Sequence, residues 1–199
     1  MVAGIGLQHA NENVMLSGCE GDTQVKRAVF FDRDGIVNRR LVGAYVRSVE
    51  EFEFIDAITD LLLYVQERGY ESILVSNQQG VAKGLMTRED LQHITEYFQN
   101  ELVRRCGVAF HDIRYCTDAE SAGSPRRKPA PGMLLEAAAE RGIELSASWM
   151  IGDSVSDVQA GRAAGVRTIL VGEFTQVPQA DFIVPSVEAV LPVLREHLL

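Results

Sequence analysis

The sequence predicts an α/β fold with a mostly parallel sheet covered on both faces. Short apolar runs of strand length alternate with segments of helical periodicity from Lys26 to the end of the 199-residue chain. That alternation is the pattern of crossover-connected parallel strands. Several of the apolar runs also stop at polar residues, and the first ends in two carboxylates, Asp32 and Asp34.

Ala28–Phe31 reads as a buried first strand. Ile58, Leu61, Leu62 and Val65 recur at helical spacing, and Gly69 after Arg68 supplies a C-cap signal. Ser72–Val75 is a second strand, running out into Ser76-Asn77-Gln78-Gln79-Gly80. Thr87 followed by Asp90 forms a capping-box pattern ahead of the stripe Leu91, Ile94, Phe98 and Leu102. Asp112–Cys116 is a third strand, and a polar loop then leads to Pro131, a residue suited to a helix start. Met133–Arg141 is that helix, stopped by Gly142. Trp149–Ile151 is a strand entering Gly152-Asp153-Ser154, and an Ala-rich helix runs from there to Gly165. Thr168–Val171 and Phe182–Val184 are further short strands, and Val187–Leu198 closes the chain as a helix.

Composition narrows the function. A formal net charge of −9 argues against general nucleic-acid binding, which requires a basic face. No apolar run approaches the length of a membrane span. Three cysteines, Cys19, Cys106 and Cys116, form neither a CxxC pair nor an even framework, which fits a reducing, cytoplasmic setting. Leu16-Ser17-Gly18-Cys19 looks superficially like a lipoprotein cleavage site. The residues before it carry no Lys or Arg, however, and His9, Asn11, Glu12 and Asn13 interrupt any apolar core. Residues 1–25 are expected to be a mobile N-terminal extension, and 26–199 one domain.

Two like charges two residues apart, as at Asp32 and Asp34, repel unless a cation or hydrogen-bond donor compensates. A polar turn after a strand is the plain alternative, since Asp favours turns. A calcium loop counted from Asp32 fails, because Ile36 and Gly43 fall where oxygen ligands are needed. In a parallel sheet, ligands bind outside the carboxyl ends of the strands. Asp32 and Asp34, Ser76 and Asn77, and Asp153 each end a different strand, and Lys128 precedes a helix start. Taken singly, Ser76 could merely end a strand, Lys128 could be solvated, Asp153 could be an N-cap, and Asp157 could be exposed. Only three of the 19 basic residues are lysines, and two of them, Lys83 and Lys128, fall in loops beside the same edge.

Together these groups suit phosphoryl transfer. One carboxylate can attack phosphorus while its neighbour protonates the leaving oxygen and later activates water. A third can help to hold Mg²⁺, and a hydroxyl, an amide and an ammonium can cradle the phosphate oxygens.

Asp32-Arg33-Asp34-Gly35, Ser76-Asn77-Gln78, Lys128-Pro129 and Gly152-Asp153-Ser154 through Asp157 resemble, in order, the four motifs of haloacid-dehalogenase (HAD) superfamily phosphatases. Phe52-Glu53-Phe54-Ile55-Asp56, Ser76 through Gly84, and Arg127 through Leu134 narrow the resemblance. They are similar to the D-glycero-D-manno-heptose 1,7-bisphosphate phosphatase and histidinol-phosphatase family. The resemblance implies a three-layer Rossmann-like HAD core with no large cap domain. It implies Asp32 as nucleophile, Asp34 as general acid/base, and Mg²⁺ held by the carboxylates of Asp32 and Asp153 and the Asp34 carbonyl. Ser76, Asn77 and Lys128 would bind phosphate, with Asp157 supporting the lysine or the metal. Arg39, Arg40, Arg47, Lys83 and Arg127 would be free to select the substrate, Lys83 and Arg127 being the chosen candidates.

Two features depart from the family pattern. Ile36 stands where the superfamily usually has Thr or Val. The Cys/His cluster that holds structural zinc in many of these enzymes is reduced to Cys116, so no structural zinc is expected. The expected activity is Mg²⁺-dependent hydrolysis of a small phosphorylated metabolite by a monomer or small homo-oligomer, without nucleic-acid or membrane partners. Heptose 1,7-bisphosphate is the first choice, with loss of its 7-phosphate; histidinol phosphate or another sugar phosphate is the alternative. A phospho-accepting receiver would need a lysine after a late strand, where Thr168–Val171 is followed by Gly172 and Glu173. An inactive binding module would not need the intact carboxylate set.

Overall fold

The computed structural model describes residues 25–198 except 176 and 178. The expected N-terminal extension lies outside the described residues apart from Val25. Among the described residues, six strands form one sheet: β1 (Arg27–Phe31), β2 (Tyr70–Asn77), β3 (Asp112–Cys116), β4 (Trp149–Gly152), β5 (Arg167–Val171) and β6 (Phe182–Val184). Their order is β3-β2-β1-β4-β5-β6, and every pairing is parallel. The chain moves outward from β1 through β2 to β3, then returns to the other side of β1 as β4. The crevice between β1 and β4 is therefore the point where the winding reverses.

Alternation along β1 assigns the two faces. Val29 and Phe31 enter a core with Leu61, Leu74, Phe98, Ile151 and Leu194, under α1 (Ala57–Glu67), α2 (Arg88–Cys106) and α5 (Val190–His197). Ala28 and Phe30 enter the opposite core with Ile73, Val75, Met133, Ala137 and Ala160, under α3 (Gly132–Arg141) and α4 (Val155–Ala164). The result is the expected three-layer α/β/α core.

Local signals act where the sequence puts them. Thr87 and Asp90 make the reciprocal capping box at α2, and Leu91, Ile94, Phe98 and Leu102 are buried along one stripe. Gly142 ends α3 in the left-handed conformation. The final segment differs from the expected continuous helix over 187–198: Val187–Ala189 is a 3-10 turn, and α5 begins at Val190. Pro192 explains the shift, because it cannot donate to the Glu188 carbonyl and its ring crowds that position unless it lies in the first helical turn.

The segments where a cap could be inserted are short. The chain after β1 folds tightly, with the Val37 N–H donating to Arg33 O at 2.8 Å and the Ile55 N–H donating to Val37 O at 3.0 Å. No helix among the described residues is long and apolar enough to cross a membrane.

Candidate active site

Asp32 leaves β1 with its N–H donated to Ile151 O of β4 at 2.9 Å, so the ladder carries it to the crevice. Asp153 follows β4 directly. From the loop before α3, Lys128 reaches Asp32 and Asp157. Its Nζ lies 2.9 Å from Asp32 Oδ1 and 2.6 Å from Asp157 Oδ1, and donates to Val75 O at 2.8 Å. Lys128 and Asp157 are buried, which answers the plain readings of a solvated lysine and an exposed aspartate. The side chain of Asn77 holds the lysine's main chain from both sides, donating to Lys128 O at 2.9 Å and accepting from Lys128 N–H at 3.1 Å.

Burial and proximity set the charges. Burial pushes Asp32 above the ordinary carboxylate range; Lys128 opposes this, and the like charges of Asp157 and Asp34 reinforce it. Burial alone would lower the Lys128 ammonium, but Asp157 and Asp32 outweigh it and hold the group protonated, above its usual value. Asp153 is pushed up to about 7 by burial and then by Asp32, with Arg40 opposing and Asp157 adding to the rise.

Asp34 behaves in the opposite way. Burial would raise it, yet the Arg33 charge and hydrogen bonds from Asn38, Gln78 and Arg33 keep its carboxyl below the ordinary range. Arg33 Nη2 lies 3.0 Å from both carboxylate oxygens; Asn38 Nδ2 donates at 3.0 Å and Gln78 Nε2 at 2.8 Å. Gln78 Nε2 also donates to Ser76 Oγ at 3.1 Å, tying the hydroxyl after β2 to the carboxylate after β1. Sequence reading gave Arg33, Asn38 and Gln78 no role. Their polar character within a strand-to-loop segment was the available signal, but it does not identify a partner.

Asp32, Asp153 and Asp157 each offer an oxygen within 4.8 Å of the others. Two glycines make that convergence possible. A Cβ on Gly35, whose φ is +94°, would fall on the Asp153 carboxylate, and one on Gly152 would fall on that of Asp157. Three hard carboxylates, one of them strained toward its neutral form, match the donor set of a small divalent cation.

These groups open onto a cleft of about 420 Å³. Asp32, Asp34, Ser76, Asn77, Lys83, Arg127, Lys128, Asp153 and Asp157 all line it, together with Arg40, Tyr45, Ser154 and Ser156. The nine site residues chosen from the sequence therefore meet at one sheet edge. Lys83 Nζ donates to Tyr45 Oη at 3.1 Å, and Arg127 Nη2 to Gln79 Oε1 at 3.0 Å. Two of the five loop cations expected to face substrate do not line the cleft. Arg39 pairs with Glu53 at the exposed surface, and Arg47 with Glu51 four residues on. Asp153 is not the helix N-cap; Ser154 takes that place, and its N–H donates to Asp157 Oδ2 at 3.0 Å. Cys116 is buried, with Asp118 and Ser124 at 3.7 and 3.9 Å from its sulfur.

The HAD-hydrolase-like family model matches residues 125–194, from the loop carrying Lys128 into α5. A D-glycero-beta-D-manno-heptose-1,7-bisphosphate 7-phosphatase of Helicobacter pylori is 40% identical over 152 residues, covering 76% of this chain and 85% of that protein. The chain belongs to this HAD phosphatase family. A Pasteurella multocida member of the same name is 36% identical over 186 residues, 87% of this chain and 99% of that protein. Among solved structures, a D,D-heptose 1,7-bisphosphate phosphatase from B. bronchiseptica, complexed with magnesium and phosphate, aligns with a TM-score of 0.77 at 25% identity. The alignment covers 85% of this chain and 98% of that one. As a family member, the protein is a phosphoric monoester hydrolase, and its six-stranded parallel core is the family's fold.

Proposed function

We propose that this phosphatase removes the 7-phosphate of D-glycero-D-manno-heptose 1,7-bisphosphate, with Asp32 as nucleophile and Mg²⁺ as cofactor. The observation that carries the chemistry is the Lys128 ammonium held between Asp32 and Asp157 at the mouth of β1. The substrate reading rests on the bisphosphate phosphatases that align over most of the chain.

A carboxylate oxygen of Asp32 attacks phosphorus, and the bond to the sugar oxygen breaks as Asp34 donates a proton to that oxygen. The products are an aspartyl-phosphate and a free hydroxyl. Asp34, now ionised, takes a proton from water; the water oxygen attacks phosphorus, and the bond from phosphorus to Asp32 breaks, which releases inorganic phosphate and restores the Asp32 carboxylate. In the resting protein Arg33, Asn38 and Gln78 keep Asp34 ionised, so the proton it donates arrives with the substrate, whose phosphate charge raises the carboxylate's proton affinity. Ser76 and Lys128 bind phosphate oxygens, and Asn77 fixes the Lys128 loop against β2. The Asp32 and Asp153 carboxylates and the Asp34 carbonyl would hold Mg²⁺, with Asp157 supporting the lysine or the metal. The ion supplies positive charge where carboxylates and phosphate otherwise repel.

Lys83 and Arg127 both line the cleft and are suited to the second phosphate of a bisphosphorylated sugar. A small phosphorylated metabolite fits the size of the cleft, and we read the chain as a single cytoplasmic domain over 26–199.

The test is phosphate release from heptose 1,7-bisphosphate and from histidinol phosphate, with Mg²⁺ and with excess chelator. The bisphosphate is the preferred substrate, and chelation abolishes turnover. Asp32→Asn lowers turnover by about 10⁴-fold or more, since the amide is no nucleophile. Preference for histidinol phosphate would overturn the substrate; near-normal turnover by Asp32→Asn would overturn the mechanism.

A further inference from the structure

The cleft holds two cations that touch the carboxylate cluster, and they are anchored very differently. Lys128 is buried and fixed by Asp32, Asp157 and the Val75 carbonyl together. Arg40 is 55% exposed, and its Nη1 lies 3.1 and 3.3 Å from the two oxygens of Asp153. Asp153 is the one ion-pair partner Arg40 has among the described residues. Its neighbour Arg39 is held separately: the Arg39 N–H donates to Glu53 O at 2.7 Å, and its side chain pairs with Glu53. The loop backbone is thus fixed one residue earlier, and the Arg40 side chain can swing without moving it.

Asp153 is also one of the three carboxylates that converge within 4.8 Å. A guanidinium engaging both of its oxygens takes the same lone pairs that a divalent cation would use. A cation held by Asp32 and Asp153 would also repel the guanidinium at close range. Of the two cations only Arg40 can yield, because it is exposed and held at one point.

We infer that Arg40 is a built-in competitor for Asp153, displaced into the cleft when a divalent metal is seated. The inference rests on the proposed Mg²⁺ site. It gives Arg40 a second position: once displaced, its five donors face a cleft whose other cations, Lys83 and Arg127, line the same space. Metal loading then adds a cation to the substrate side of the cleft, so metal and an anionic substrate favour each other's binding.

The experiment is calorimetric titration of Mg²⁺ alone into metal-stripped full-length protein, comparing wild type, Arg40→Gln and Arg40→Lys. Glutamine removes the charge at an exposed position and leaves the core untouched. Arg40→Gln binds Mg²⁺ about two- to fivefold more tightly than wild type, the scale of a partly exposed ion pair. Arg40→Lys, which keeps the charge, falls between the two. Equal or weaker Mg²⁺ affinity in Arg40→Gln overturns the competition, as does tightening by Arg40→Lys as large as by Arg40→Gln. Absence of Mg²⁺ binding in all three proteins overturns the metal site itself, and the inference with it.

Discussion

Asp157, one turn into α4, lies 2.6 Å from the Nζ of Lys128, a residue 29 positions earlier that reaches it from the far side of α3. The pair is buried, and the other carboxylate oxygen of Asp157 accepts from Ser154 N–H and Oγ–H at 3.0 and 2.8 Å. One aspartate therefore fixes both the lysine and the helix start that carries Asp153.

Asp157→Ala is expected to cost about 3–5 kcal/mol, the scale for removing one partner of a buried ion pair. It also frees Lys128 on one side, so turnover falls together with stability. Chemical denaturation with parallel phosphate-release assays checks this. A variant with unchanged stability would show that Asp32 and Val75 suffice to hold the lysine.

Most of the constellation was legible in the sequence for a physical reason. In a parallel sheet the carboxyl ends of strands share one edge, so Asp32, Ser76, Asn77 and Asp153 could be placed together from strand ends alone. Lys128 and Asp157 followed from their motif spacing. What could not be read was which groups bond to which. The strand order is not encoded locally, so the crevice between β1 and β4 was not identified. The grip of Arg33, Asn38 and Gln78 on Asp34 joins the loops after β1 and β2, whose approach is a tertiary event. Arg39, Arg40 and Arg47 looked equivalent in sequence, yet only Arg40 lines the cleft, because Glu53 and Glu51 hold the other two.

Gly35→Ala should remove metal affinity while leaving most of the fold. The new Cβ would fall on the Asp153 carboxylate, and the residue would be held at φ +94°, costing roughly 1–3 kcal/mol. Mg²⁺ titration of the folded variant is the check; wild-type affinity would show that Asp153 can move aside and still bind.

The Asp153 carboxyl, at about 7 in the metal-free protein, sets a pH dependence with a definite sign. Between the ordinary carboxylate value of 3.8 and about 7, the folded chain holds a proton that the unfolded chain has released. This contribution to stability is full below that window and is lost as pH rises through it. Mg²⁺ held at the proposed site would take the proton's place. The rise in melting temperature on adding Mg²⁺ is therefore larger at pH 8 than at pH 5.5. A Mg²⁺ effect that is flat across this range would contradict the assignment.

Substrate choice should rest on Arg127. Its Nη2 is tied to Gln79, while its Nη1 is buried without a hydrogen-bond partner among the described residues, beside a cleft that Lys83 also lines. A buried donor left unpaired is costly, and an anionic oxygen would relieve it. In the proposed mechanism the scissile phosphate is committed to Asp32, Ser76 and Lys128, so the oxygen that would satisfy Arg127 comes from elsewhere on the substrate. A second phosphate supplies it; a simple aryl phosphate does not. Arg127→Ala is therefore expected to lower kcat/KM for heptose 1,7-bisphosphate about tenfold, in keeping with loss of one charge-assisted hydrogen bond. The same change should alter kcat/KM for an aryl phosphate by less than about twofold, because that substrate never reaches the guanidinium. Steady-state kinetics on the two substrates decide the point, and equal losses on both would place Arg127 with the scissile phosphate instead.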